Sequence, residues 1–385
     1  MSRRCAIVGM DIIAALGVGA EAVWSEMMRK SCGIRPLMRF PRGKYATDFA
    51  AELPPEAEGM SGAYALAAGV GRRLLDGSAG GAARARTART GLVLATTKAE
   101  IGEIERLALE PGAEVTGRHN PYVLARDVAK DLGFSGPVMA VSNACASGLI
   151  AIVQAVRLLR RGAAEMMVVI GVDVLADFIL AGFSALNALS PRPCRPYDAG
   201  RDGLSLGEGA AALLITLAPR QEDVVLGVVA GWGIANDACH ITAPSRTGDG
   251  LRAAVTRALA AANLSPGDIH CINGHGTATL YNDAMEAKAL HGVFGGGERM
   301  PPLSSLKGYL GHTLGAAGVI ETVLCLVAMR ERTVPACLGL ERLGVERPLN
   351  VPREHLPLQR LTRVLSVKCG FGGINAALVL DGEAE

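Results

Sequence analysis

Apolar runs of strand length recur along this chain, at residues 5–10, 92–95, 138–141, 166–172, 211–215 and 224–230, and helical patterns lie between them. Runs this short read as buried strands, and their alternation with helices confines the chain to an α/β fold. The clearest helix follows Cys145, where Leu149, Ile152, Val153, Val156 and Leu159 recur at helical spacing. Arg157, Arg160 and Arg161 complement the dipole at its end, and Gly162 stops it. A second helix spans 251–262 and leads into a strand over 269–273. Residues 300–306 read as extended and 317–330 as a buried helix. Residues 363–368 and 374–380 read as two strands joined by a Gly-rich turn. Segments 35–61 and 77–88, rich in Pro, Gly, Ala and Arg, are the least structured. No low-complexity linker divides the 385 residues, a length that suits one large two-half domain or two average ones.

Composition excludes several functions. Half the residues are hydrophobic and 4% are aromatic, so the core is built from aliphatic side chains around Gly and Ala. The 39 basic and 37 acidic residues nearly cancel, which speaks against a nucleic-acid partner or an anionic membrane. Nine cysteines lie scattered without CxxC pairs, against both a disulfide framework and a zinc site, so no metal is expected. The opening residues carry two arginines and only a short apolar run, as a first strand does, and the expected location is the cytoplasm. The longest apolar stretch, 166–183, is interrupted by Asp173 and Asp177, against a membrane span.

The chemistry-bearing residues sit in small-residue clusters. Cys145 lies in Val-Ser-Asn-Ala-Cys-Ala-Ser-Gly, between a strand and the helix described above. A thiol at a helix N-terminus meets unpaired N–H groups that stabilise a thiolate or a developing oxyanion, although a lone cysteine is also an ordinary small hydrophobe. His275 lies in Asn-Gly-His-Gly-Thr-Ala-Thr and His312 in Lys-Gly-Tyr-Leu-Gly-His-Thr-Leu-Gly-Ala-Ala-Gly, where glycines let the backbone approach a ligand. Neither has metal-motif spacing, and singly each also suits a core or loop histidine. Lys307 stands at a strand end, with Asp283, Glu286 and Glu321 as candidate anionic partners. The Gly-rich turn 369–375 contains Phe371 and Asn375.

In this order the segments resemble the β-ketoacyl synthases of fatty-acid and polyketide assembly. The shared pattern is an Ala-Cys-Ala-Ser-Gly elbow, His-Gly-Thr-x-Thr, Lys-x4-His-x2-Gly-Ala-Ala-Gly and a closing Gly-Phe-Gly-Gly-x-Asn. Arg195-Pro-Tyr-Asp198 and residues 201–209 are similar to the family's mid-chain signature, so the likeness spans nearly the whole chain. Gly274, Ala278 and Asn143 depart from the residues frequent at those positions, and 35–89 matches poorly. Segments 95–98 and 280–283 look like stand-alone synthases of aryl-polyene pathways. The resemblance implies the thiolase fold, two similar α/β halves (1–217 and 218–385) stacked as five αβαβα layers. It implies that Cys145 carries the acyl group and that His275 and His312 stabilise the enolate left when a malonyl thioester decarboxylates. It further implies that Lys307, tied to Glu321, holds His312 and the local charge, and that the N–H groups of Cys145 and Phe371 form the oxyanion hole. Phe371 would gate the thiol, Thr277, Thr279 and Asn375 would bind substrate, and Asp283 and Glu286 would support the site. No cofactor is expected on the chain itself, since substrates arrive on the phosphopantetheine of acyl carrier protein. The partner chain is a second copy or a chain-length subunit. Two other readings remain: a non-decarboxylating thiolase-fold acyltransferase, for which Cys369 is the second-cysteine candidate, and the chain-length subunit itself.

Overall fold

A computed structural model describes residues 4–77, 84–86, 88–297 and 300–382. The sheet strands are β1 (Cys5–Ala14), β2 (Thr90–Ala95), β3 (Val138–Val141), β4 (Met166–Asp173), β5 (Gly209–Thr216), β6 (Gly227–Asn236), β7 (Cys271–Asn273), β8 (Leu303–Ser304), β9 (Arg363–Gly370) and β10 (Ile374–Asp381). The helices of eight residues or more are α1 (Ala20–Met28), α2 (Ala63–Gly77), α3 (Gly102–Leu109), α4 (Pro121–Asp131), α5 (Ser147–Arg160), α6 (Asp177–Ala185), α7 (Asp249–Ala262), α8 (Leu280–Phe294) and α9 (Ala317–Glu331), and Lys307 opens a one-turn helix, Lys307–Leu310, instead of ending a strand.

The strand order repeats. The first half runs β3-β2-β4-β5-β1 and the second β8-β7-β9-β10-β6. In each, two parallel pairings are followed by two antiparallel ones. The halves join where Cys5–Ile7 of β1 pair with Gly227–Val229 of β6, so one hydrogen-bonded ladder runs through both.

Alternation along the strands separates the layers. Leu92, Leu94, Val168, Ile170, Ala212 and Leu214 face α2 and α4, whereas Val93, Ala95, Val169, Leu213 and Ile215 face the central pair α5 and α9. In the second half Val364, Ala376, Leu378 and Leu380 face the same central pair, and Ile272, Leu365, Val367 and Val379 face α7 and α8. Five layers result, helix on sheet on helix on sheet on helix.

Strand β6 runs on to Asn236 instead of ending at residue 230, because Gly231 and Gly233 let it lie against α7. A Cβ on Gly233 would stand 2.0 Å from the carbonyl oxygen of Ala254. Those glycines and Trp232 interrupt the apolar run in sequence while making the packing in space. Segment 35–61 holds only the two-residue ladder Arg35–Pro36 with Phe49–Ala50 and the short turn Pro55–Ala57. Most of segment 77–88 lies outside the described residues.

Candidate active site

Strand β3 ends at Val141 and α5 begins at Ser147, so the chain reverses direction over five residues. Ala144 takes a left-handed φ of 48° to do so. The Ser147 hydroxyl braces the bend, accepting from Asn143 N–H at 2.8 Å and donating to Ala144 C=O at 2.6 Å. Cys145 is thereby held in the bend, 8% exposed and lining a cavity of about 350 Å³. The turn after β9 closes over it. A Cβ on Gly370 would lie 2.8 Å from Ile374 Cγ2 and 3.2 Å from the Cys145 nitrogen, so glycine permits that approach.

His312 precedes α9 as Cys145 precedes α5, and the two helices meet glycine to glycine. A Cβ on Gly148 would stand 2.7 Å from Gly318 Cα, and one on Gly318 would stand 2.4 Å from Leu149 N. This contact brings His312 Nε2 to 3.0 Å from Cys145 Sγ. The Leu314 N–H donates to His312 Nδ1 at 3.2 Å, which assigns the proton of the neutral ring to Nε2, facing the sulfur. Residue 312 is fixed on both sides, its N–H donating to Ser205 C=O at 2.7 Å and its C=O accepting from Gly207 N–H at 3.0 Å.

His275 follows β7, and Glu286 of α8 holds its loop by accepting from the N–H groups of His275 at 2.5 Å and Gly276 at 2.8 Å. The two imidazoles meet edge to face with centroids 5.3 Å apart, and one nitrogen of each lies within 4.8 Å of the sulfur and of the other. His275 Nδ1 is buried without a hydrogen-bond partner among the described residues. Tyr197 donates its hydroxyl to Glu286 at 2.9 Å, and a Cβ on Gly274 would fall 2.2 Å from that oxygen, which accounts for glycine at 274. Gly274→Ala is expected to cost about 1–3 kcal/mol of stability, read as a lowered Tm, by displacing Tyr197 from Glu286.

The electrostatics differ from the resting thiolate expected at a helix N-terminus. Burial pushes the Cys145 thiol up to about 11, against the opposing pull of Lys307 and of the N–H groups of Cys145 and Phe371. Cys145 therefore rests as a thiol. Burial and then the nearby Lys307 charge hold both histidines well below the usual imidazole value, so both are neutral. Lys307 pairs with Glu321 at 2.9 Å. Asp283 and Glu286 are not its partners. Asp283 accepts from Tyr197 N–H at 2.8 Å and faces Arg201 at 3.7 Å, and burial lifts its carboxyl to about 7.

Thr277, Thr279 and Asn375 line the cavity with Cys145 and both histidines. The two threonine hydroxyls lie 2.9 Å apart, and Asn375 donates to Asp237 at 2.9 Å and to Gly373 C=O at 3.0 Å. Phe371 is at the mouth, 39% exposed and stacked on Phe183 at 5.8 Å. Cys369 also lines the cavity, its thiol pushed far up by burial.

The sequence reading left out Phe183, Lys368 and a role for Asp173. Asp173 is fully buried and accepts from Thr96, Thr97, Lys98 at 3.1 Å and Gly315 N–H at 2.7 Å, tying the end of β4 to the turn after His312. The available signal was a charge inside an apolar strand, which Asp173 and Lys368 share.

A doubled five-layer architecture with a cysteine in the bend before one central helix defines the thiolase-fold class. The beta-ketoacyl synthase N-terminal domain model matches residues 2–220 and its C-terminal domain model matches 226–341. A Streptomyces cyaneus protein named as a polyketide beta-ketoacyl synthase is 32% identical, the match covering 100% of this chain and 99% of that one. A 3-oxoacyl-[acyl-carrier-protein] synthase 2 of Coxiella burnetii is 29% identical over 98% of both. The solved ishigamide ketosynthase/chain length factor superposes with a TM-score of 0.91 at 26% identity over the full length of both chains. The chain belongs to the β-ketoacyl synthase family, and it is an acyltransferase in the condensing sense. No helix among the described residues is long and apolar enough to cross a membrane.

Proposed function

We propose that this chain joins an acyl group held on Cys145 to a malonyl unit carried on the phosphopantetheine arm of acyl carrier protein. The observation that carries the reading is one buried sulfur within 4.8 Å of two neutral imidazoles at the end of a cavity. In loading, Cys145 sulfur attacks the acyl thioester, its proton goes to the departing pantetheine sulfur, and a thioester on Cys145 forms. The N–H groups of Cys145 and Phe371, which pull the thiol down against its burial, take the tetrahedral oxyanion. The malonyl thioester then loses carbon dioxide, and the electron pair of the broken bond becomes an enolate whose oxygen the N–H groups of His275 and His312 stabilise. Its carbon attacks the acyl carbonyl and expels Cys145, leaving a β-ketoacyl thioester two carbons longer.

Thr277 and Thr279 bind the pantetheine amides, Asn375 holds the 370–373 turn, and Phe371, moving against Phe183, gates the sulfur. Lys307, Glu321, Asp283 and Glu286 hold the histidines and their loops. The two halves divide near residue 218. Among the described residues strand β3 ends the ladder with one edge unpaired, and a second ketosynthase-like chain, identical or a chain-length subunit, pairs there. A reducing cytoplasm suits nine cysteines that are all free thiols.

Incubation with acetyl- and malonyl-carrier, followed by intact mass, tests the reading. The chain should gain an acetyl group that disappears in Cys145→Ala, and on malonyl carrier it should release carbon dioxide and form β-ketoacyl carrier. Loading without carbon dioxide release would favour the non-decarboxylating transferase. No loading at all would favour the chain-length subunit.

A further inference from the structure

Lys368 belongs to none of the motifs that mark this site. It sits in β9 with its side chain fully buried, 2.7 Å from Glu321 Oε2, while Lys307 holds the other oxygen of the same carboxylate at 2.9 Å. Asn273 Oδ1 at 2.9 Å, Val367 C=O at 2.8 Å and Ser366 Oγ at 3.3 Å also accept from its ammonium. Asn273 is the last residue of β7, two before His275. Two ammonium groups thus share one carboxylate, all three at most 3% exposed, and the cluster holds one positive charge in excess.

An isolated buried charge is costly, so a surplus kept behind an active site calls for a compensating anion. The other charged groups packed around the imidazoles have partners of their own. Lys98 pairs with Asp173 at 3.1 Å, Asp283 faces Arg201 at 3.7 Å, and Glu286 accepts from Tyr197 and from the N–H groups of His275 and Gly276. On the proposed reaction, the anions that reach this place are the malonyl carboxylate and then the enolate.

We propose that Lys368 is a second positioning cation of this site, selecting acyl carriers whose unit bears a carboxylate over uncharged ones and keeping His275 and His312 neutral as hydrogen-bond donors. This rests on the condensing reaction above. The lysine touches neither substrate nor reacting atoms, and it acts through the field it adds to that of Lys307. Coulombic repulsion from Lys368 contributes to the lowering at both rings.

Removing it leaves Lys307 and Glu321 as a one-to-one pair, so Lys368→Met neutralises the cluster without stranding a carboxylate. The experiment titrates the imidazoles of labelled histidines by NMR in the resting protein, wild type and Lys368→Met, and then measures loading and decarboxylation separately. In wild type His275 and His312 should stay neutral well below pH 6.5, and in Lys368→Met their midpoints should rise by about one pH unit. Decarboxylation of malonyl carrier should fall about tenfold, with KM for malonyl carrier raised, while acetyl loading of Cys145 changes less than about threefold. Lys368→Arg should restore most of the loss by restoring the charge.

Equal losses in loading and decarboxylation, or unmoved midpoints, would overturn the proposal. If Lys368→Met does not fold, Lys368→Arg against Lys368→Gln decides, the arginine keeping the wild-type midpoints and decarboxylation and the glutamine losing both. The titration needs no substrate, so a shifted midpoint in a chain that fails to decarboxylate malonyl carrier would overturn the condensing reading alone.

Discussion

Cys145→Gln should abolish β-ketoacyl formation and still convert malonyl carrier to acetyl carrier. The carboxamide resembles an acyl thioester in shape, and its oxygen can accept from the N–H groups of Cys145 and Phe371 assigned to the oxyanion. Both imidazoles remain at their posts, since Leu314, Ser205 and Gly207 hold His312 and Glu286 holds the His275 loop, none of them through the sulfur. Cys145→Ser should load poorly, because a hydroxyl ionises far less readily than even this raised thiol. The checks are carbon dioxide release and carrier mass. A folded glutamine variant that makes β-ketoacyl product, or that fails to release carbon dioxide, would count directly against the division of labour proposed here.

The second large effect concerns the imidazoles. His275→Ala and His312→Ala should each slow decarboxylation by about two to three orders of magnitude, the cost of one preorganised donor of about 3 kcal/mol. Loading should suffer less. The rings lie 5.3 Å apart and serve one developing charge, so the double variant should lose less than the product of the single losses. A double variant as active as wild type on malonyl carrier would dismiss the assignment.

Much of the candidate site is legible in the sequence, because Cys145, His275, Lys307 and His312 each lie in a run of small residues whose order along the chain is distinctive. The α/β class was equally plain from the short apolar runs. What escaped has a common physical cause. Helix α8 carries buried Asn282, Asp283 and Glu286 among its apolar residues, so its pattern lacks a clean polar face. Those acids serve Tyr197 and His275, partners that local spacing does not indicate. Lys368 and Asp173 read as interruptions of apolar strands, and their meaning depends on Glu321 and on the turn at Gly315, brought close only by folding. The thiol's ionisation was misjudged for a related reason. A helix terminus is visible in sequence, but the burial that outweighs it is not.

The glycine-to-glycine contact between Gly148 and Gly318 also limits how this catalyst can be altered. With no side chain between the two helix starts, backbone meets backbone, and the gap from Cys145 to His312 rests on a hard stop. Any larger residue at either position acts as a wedge between the two halves of the chemistry, whatever its polarity. Tolerance for a bulkier extender unit therefore has to be engineered at the rim, among Phe183, Leu186, Thr242, Leu280 and Phe371, where the walls are loops and helix ends that can yield.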